Sequence, residues 1–112
     1  MNSSILTVGF YEYITINNHK ILARIDTGAL KSSLDKSLAK QLLGSLDIID
    51  HIKVKNVHGI TTRPVIKLKL KIQDKEFENN FNLMDRTNMK YKVLIGQDIL
   101  KQGFIIDPQK EV

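Results

Sequence analysis

Ala23-Arg24-Ile25-Asp26-Thr27-Gly28-Ala29 puts a carboxylate at the end of an apolar, β-branched stretch and follows it with a hydroxyl and a glycine. That order suits a tight loop presenting the acid. Gly28 lets another backbone or a substrate approach closely, and Thr27 can hydrogen-bond across the site. At roughly 5–7% usage per residue type, such a triplet arises by chance in only about a few per cent of chains this long. The bland alternative is a turn that happens to read Asp-Thr-Gly. One carboxylate cannot be acid and base at once, and no second Asp-Thr/Ser-Gly occurs in the chain. If Asp26 is catalytic, its mate comes from a second subunit on a two-fold axis. Two aspartates side by side cannot both ionise, so they share a proton. The protonated one polarises a scissile carbonyl and the ionised one takes a proton from the attacking water.

Around this loop the chain reads mostly as short strands. Ile5 to Phe10 and Tyr11 to Ile16 are rich in aromatic and β-branched residues. They run into the polar turn Asn17-Asn18-His19-Lys20 and then Ile21 to Ile25, a hairpin that delivers the chain to Asp26. From Asp35 to Leu43 the period changes, with Leu38 and Leu42 four apart as on a short amphipathic helix. Asp35 or Ser33 is the candidate N-cap, and Gly44 the stop. Ile52 to Val57, the turn His58-Gly59 and Thr61 to Ile72 form a second hairpin. Its long arm alternates Ile66, Leu68, Leu70 and Ile72 with Lys67, Lys69 and Lys71, the period of a strand with one buried face. Asp74-Lys75 turns the chain into Glu76 to Met84, and a polar loop over residues 85–88 follows. Tyr91 to Ile95 is a further strand, Asp98 to Gln102 one or two helical turns closed by Gly103, and Phe104 to Ile106 a last strand. Many strands with two short helices point to a single, mainly β domain over residues 1–112, a small closed or partly closed barrel.

Length and composition bound the rest. The chain has 112 residues, 42% hydrophobic and 26% charged, enough for one compact domain. No apolar run approaches the ~18 residues of a membrane span. The start, Met1-Asn2-Ser3-Ser4-Ile5-Leu6-Thr7-Val8, lacks a basic n-region, so a secretory leader is not expected. The absence of cysteine excludes disulfides and thiolate chemistry and fits a reducing cytoplasm. Net charge is +5, and five basic residues lie between Arg63 and Lys75. A basic face concentrates polyanions, although lysines also simply solvate a strand face and discourage edge pairing. A nucleic-acid barrel would interleave its basic residues with stacking aromatics. Here the stripe is interleaved with Ile and Leu and there is no Trp, so nucleic acid is not an expected partner.

A second motif, Val93-Leu94-Ile95-Gly96-Gln97-Asp98-Ile99-Leu100, combines apolar residues, a glycine and a short helix about seventy residues after the first. At this point the chain resembles the retropepsin-like aspartic proteases, in which an apolar–apolar–Gly segment packs beneath the catalytic loop and leads into a helix. The resemblance implies that Leu94, Ile95 and Gly96 support the loop. It also implies that the hairpin through Val57-His58-Gly59-Ile60 is the flap closing over substrate. A lone turn histidine such as His58 is more often simply solvated. The coupled carboxylate pair is the arrangement established for aspartic proteases.

The likeness narrows to the bacterial and archaeal branch that carries the label ATP-dependent zinc protease and is linked to the ligase adding glutamates to a ribosomal protein. It rests on Val8-Gly9-Phe10-Tyr11-Glu12-Tyr13, residues 23–29, Thr62-Arg63-Pro64-Val65-Ile66, Asp85-Arg86-Thr87-Asn88-Met89-Lys90-Tyr91 and the stretch from Leu94 to Pro108. Leu30 and Asp35 depart from it, standing where many bacterial members have Arg and His. The label itself finds no support in the residues. No glycine pair stands five apart with a following lysine, so there is no phosphate loop. His19, His51 and His58 have neither zinc-site spacing nor a neighbouring Glu. No metal or other cofactor is expected. The resemblance thus implies a homodimeric aspartic endopeptidase, a hydrolase acting on peptide or protein substrates, including glutamate-rich tails. In it Asp26 is catalytic and Thr27, Gly28 and Ala29 shape the loop. The rival expectation is a silent dimer of the same fold that binds acidic tails or a partner protein.

Overall fold

Two-residue turns set the architecture. A computed structural model describes residues 5–112; the sequence expectation for residues 1–4 lies outside the described residues. The strands and helices in chain order are β1 (Leu6–Val8), β2 (Tyr11–Ile16), β3 (His19–Ile25), β4 (Ser33–Asp35), α1 (Lys36–Leu43), β5 (Asp50–Asn56), β6 (Gly59–Ile72), β7 (Lys75–Met84), β8 (Val93–Ile95), α2 (Gln97–Leu100) and β9 (Phe104–Ile106). Asn17 and Asn18 both have positive φ, 48° and 66°, as do Gln73 and Asp74, 50° and 69°. Paired positive φ at two-residue loops gives the hairpin turn whose twist matches that of the flanking strands. His19 and Lys75 therefore open strands β3 and β7 instead of completing the turns, each one or two residues from where composition alone puts the boundary.

The strand order β2-β3-β8-β4-β7-β6 closes on itself through Ile14↔Ile72 and Thr15↔Lys71, with β5 added outside on β6. The result is a closed six-strand barrel with two short helices, as the pattern of strands predicts. Ile66, Leu68, Leu70 and Ile72 face inward with Ile14, Ile16, Phe81, Leu83 and Ile95, each burial contributing roughly 1.5–3 kcal/mol. On the outer face Lys69 and Lys71 stand directly opposite Glu78 and Glu76 of β7. Much of the lysine stripe is therefore matched by charge across the sheet.

Strand β4 has no counterpart in the sequence reading. It is three residues long, Ser-Leu-Asp, wholly buried, parallel to β7 and antiparallel to β8. Polar Ser and Asp read as loop, and three residues carry no period. Asp35 ends β4 and caps α1, its Oδ2 accepting the Leu38 N–H at 3.0 Å, while Gly44 stops the helix with φ 78°.

Strands β1 and β9 form a separate parallel ribbon. The C-terminal segment straps it to the barrel. The Asp107 N–H donates to the Val8 carbonyl, and Lys110 Nζ donates both to the Thr7 carbonyl and to Glu12 Oε1, each at 2.9 Å. Glu12 is nearly buried, so the ammonium compensates a carboxylate with little access to water. Lys110→Met is expected to lower stability by about 1–3 kcal/mol, since it strands that carboxylate. Adding Glu12→Gln should recover part of the loss, and urea denaturation of the single and double variants measures both.

Candidate active site

Strand β3 lies parallel to β8, Arg24 beside Leu94 and Ile25 beside Ile95. The pairing ends where the Asp26 N–H donates to the Ile95 carbonyl at 2.8 Å. The chain then turns sharply. Asp26 Oδ1 accepts the Gly28 N–H at 2.9 Å, and the Ala29 N–H reaches the Asp26 carbonyl at 3.3 Å. Asp26 is half-buried, while Thr27 and Gly28 are exposed. The carboxylate is thus oriented by its own loop yet remains open on one side.

Beneath the loop, Gly96 is packed so closely that a Cβ would lie 2.8 Å from the carbonyl oxygens of both Ala29 and Lys31. The next residue ties the loop twice. The Gln97 N–H donates to the Ala29 carbonyl at 2.8 Å, and Gln97 Nε2 to the Thr27 carbonyl at 2.7 Å. A partly buried polar network lies deeper. Asp98 Oδ1 accepts the Ser32 hydroxyl at 2.7 Å, and Asp98 Oδ2 accepts the Ser32 N–H and Asn79 Nδ2. Ser32 Oγ in turn accepts the Gly96 N–H at 2.9 Å. Sequence reasoning picked out Leu94, Ile95 and Gly96 under the loop. It did not pick out Gln97, Ser32, Asn79 or Asp98 as supports, because their partners lie 19 to 70 residues away.

In front of the loop opens a cleft of about 650 Å³. Gly28, Ala29, Leu30 and Lys31 form one side, the β5 arm from Ile52 to Lys55 the other, with Ser33, Asn82 and Leu94 also in the lining. The tip residues Val57, His58, Gly59 and Ile60 project into solvent, Val57 95% exposed. The arm of the hairpin, and not its tip, borders the cleft. The turn itself is Val57-His58. Asn56 Oδ1 accepts the His58 N–H at 2.8 Å, and Gly59 pairs with Asn56 at φ 122°, a backbone region that favours glycine. Of the two departures from the family pattern, Leu30 is 70% exposed at the cleft edge, and Asp35 is a buried helix cap whose Oδ1 also accepts the Arg86 N–H.

The cleft lining is strongly cationic. It includes Lys31, Lys53, Lys55, Arg63 and Arg86, and neither Asp nor Glu. Burial holds the guanidinium of Arg63 below the usual arginine range. It does the same to Arg86, where Arg63 and Arg24 push further down and Asp35 and Asp26 pull back. An arginine remains cationic under such shifts; they mark partly desolvated positive charge within reach of Asp26.

Comparison with known proteins gives this geometry a family. The model of the RimB-like family, described as retropepsin-like aspartic endopeptidase RimB, matches residues 35–112. The chain belongs to that family. Its fold is similar to that of a protein of unknown function (DUF785) from Legionella pneumophila subsp. pneumophila str. Philadelphia 1. The two share 24% identity at a TM-score of 0.69, with 96% of each chain covered. It is also similar to EIAV protease complexed with the inhibitor HBY-793, at 19% identity and a TM-score of 0.68, covering 81% of this chain and 84% of that one. At these identities the two structures speak for the retropepsin-like fold. No curated protein matches the chain. Among the described residues no helix is long and apolar enough to cross a membrane.

The Gly96 contact makes a sharp expectation for this RimB-like fold. Gly96→Ala overpacks two backbone carbonyls that cannot swing aside and is expected to cost about 1–3 kcal/mol. Thermal unfolding followed by circular dichroism should register it as a drop of several degrees in Tm.

Proposed function

We propose that the chain is one retropepsin-like domain that works as a homodimeric aspartic endopeptidase. The observation that carries this reading is the Asp26 loop. Its half-buried carboxylate is fixed by the Gly28 N–H, and the next residues of the loop, from Gly28 to Lys31, line a cleft, in a member of an aspartic endopeptidase family. With a single Asp-Thr-Gly in the chain, the second carboxylate is Asp26 of a second copy.

The two carboxyl groups share one proton. The ionised one takes a proton from water as the water attacks the peptide carbonyl, and the protonated one donates to the carbonyl oxygen. Collapse of the tetrahedral intermediate sends a proton to the leaving amine and returns the pair to its starting state. Thr27, exposed beside Asp26, joins the two loops, and Gly28 and Ala29 shape the cleft floor. The hairpin ending in Val57, His58, Gly59 and Ile60 closes over substrate and sheds water. Leu94, Ile95 and Gly96 hold the loop from below.

The cationic cleft favours an acidic peptide, including a glutamate-rich tail, because five basic residues with no acid among them lower the free energy of a bound anion. The absence of cysteine suits work in the cytoplasm.

Asp26→Asn should reduce hydrolysis of glutamate-rich peptides by about 10²–10⁴-fold, the range for loss of a general acid–base group, with the circular dichroism spectrum unchanged. Retained activity in that variant would refute the mechanism. Below the dimer dissociation constant, specific activity should rise with protein concentration, read against sedimentation velocity. Tight peptide binding without cleavage at any concentration would instead fit a dimer that only binds acidic tails.

A further inference from the structure

Beside the cleft's apolar surfaces sits a polar corner whose hydrogen bonds are unevenly filled. Asn82 is buried and nearly saturated. Its Oδ1 accepts from Ser33 Oγ at 3.0 Å and from Arg63 Nη1 at 3.1 Å, and its Nδ2 donates to the Ser32 carbonyl at 3.0 Å. Arg63 thus spends one of its five N–H donors on the amide that positions it. Arg86 is only 7% exposed, an uncommon place for a guanidinium. Its Nε donates to the Tyr91 carbonyl at 2.8 Å, and Nη1 has only the weak acceptor Met84 Sδ at 3.7 Å. Among the described residues neither arginine has a carboxylate within ion-pair distance.

A buried arginine is ordinarily matched by a carboxylate, because removing the charge from water is costly otherwise. Here buried Arg86 and half-buried Arg63 border one cleft, repel each other, and keep donors that no protein group accepts among the described residues. Met84, Leu94, Ile52 and Val54 line the same space, so apolar surface for a methylene stem is available in the cleft that the two arginines border.

We propose that Arg63, positioned by Asn82, and Arg86 form a carboxylate-binding subsite that selects an acidic group of the substrate at a fixed position in the cleft. The fork geometry of guanidinium suits a carboxylate held by paired hydrogen bonds. Lys31, Lys53 and Lys55 are exposed and attract acidic chains generally; the less exposed arginine pair reads one carboxylate. This rests on the cleft being the substrate cleft of the proposed peptidase. It is tested by binding, so it can fail while hydrolysis stands, or stand while hydrolysis fails.

The experiment uses the full chain and fluorescence anisotropy with a neutral host peptide. A single Glu is walked along the peptide, and each version is compared with its Gln counterpart. Wild type should prefer Glu over Gln roughly 10- to 100-fold at one position or its two-fold mate, the range for charge-assisted hydrogen bonds. Arg63→Gln should erase that preference without weakening the Gln peptide, and Arg86→Lys should reduce it. Lys69→Gln, on the strand face opposite Glu78, should leave it intact. Peptides with a free or an amidated C-terminus separate a side-chain carboxylate from a terminal one; preference for the free terminus would assign the same subsite to the chain end. No carboxylate preference in wild type at any position or terminus would overturn the proposal. So would a preference that survives in both arginine variants, with thermal melts establishing that each is folded.

Discussion

A Cβ at residue 96 would sit 2.8 Å from two carbonyl oxygens of the Asp26 loop segment, and much of the site's geometry follows from its absence. With no side chain there, β8 runs close enough under the loop for Ile95 to accept the Asp26 N–H. Gln97 can then bind the carbonyls of Thr27 and Ala29. The Ser32 hydroxyl binds both the Gly96 N–H and Asp98. The proposed mechanism requires the loop to be rigid, since a displacement of about an ångström can cost a large factor in rate. Rigidity here comes from backbone contacts, the Asp26 carboxylate bonded within its own loop, and a partly buried polar network.

Barrel closure serves the same end at larger scale. The β2–β6 pairing closes the sheet on itself, so the strand that ends at Asp26 and the long strand β6 share a common core. The outward half of the β5–β6 hairpin lies beyond the barrel and has few buried residues. Low burial leaves such an element free to move at little cost in stability, as the proposed role of the hairpin over substrate requires.

Charge is distributed differently on the two sides of β6. Along the barrel, Lys69 and Lys71 face Glu78 and Glu76, so that basic stripe is largely matched. At the cleft end of the same strand Arg63 meets an asparagine instead, and positive charge gathers without an acid in the lining. Net charge alone did not distinguish these two populations. The most regular basic pattern in the sequence, Lys67 to Lys71, is the one the fold pairs off across the sheet.

The residues themselves determined a good deal. Alternation from Ile66 to Ile72 specifies which face of β6 is buried, and the Asp35-to-Gly44 segment carries its own cap and stop. Asp26-Thr27-Gly28 marks a tight loop, and through the family resemblance Leu94-Ile95-Gly96 marks its support. All of these are local patterns, set by period, capping chemistry or a short motif. Strand β4, the β1–β9 ribbon, the Lys110–Glu12 strap, the Ser32–Asp98 network and the meeting of Arg63 with Arg86 were decided only in three dimensions. Each joins residues far apart in the chain, and a polar residue looks the same in sequence whether it ends in water or in a buried partner. Local order is written along the chain, but the partner that satisfies a buried polar group is chosen by the closure of the barrel.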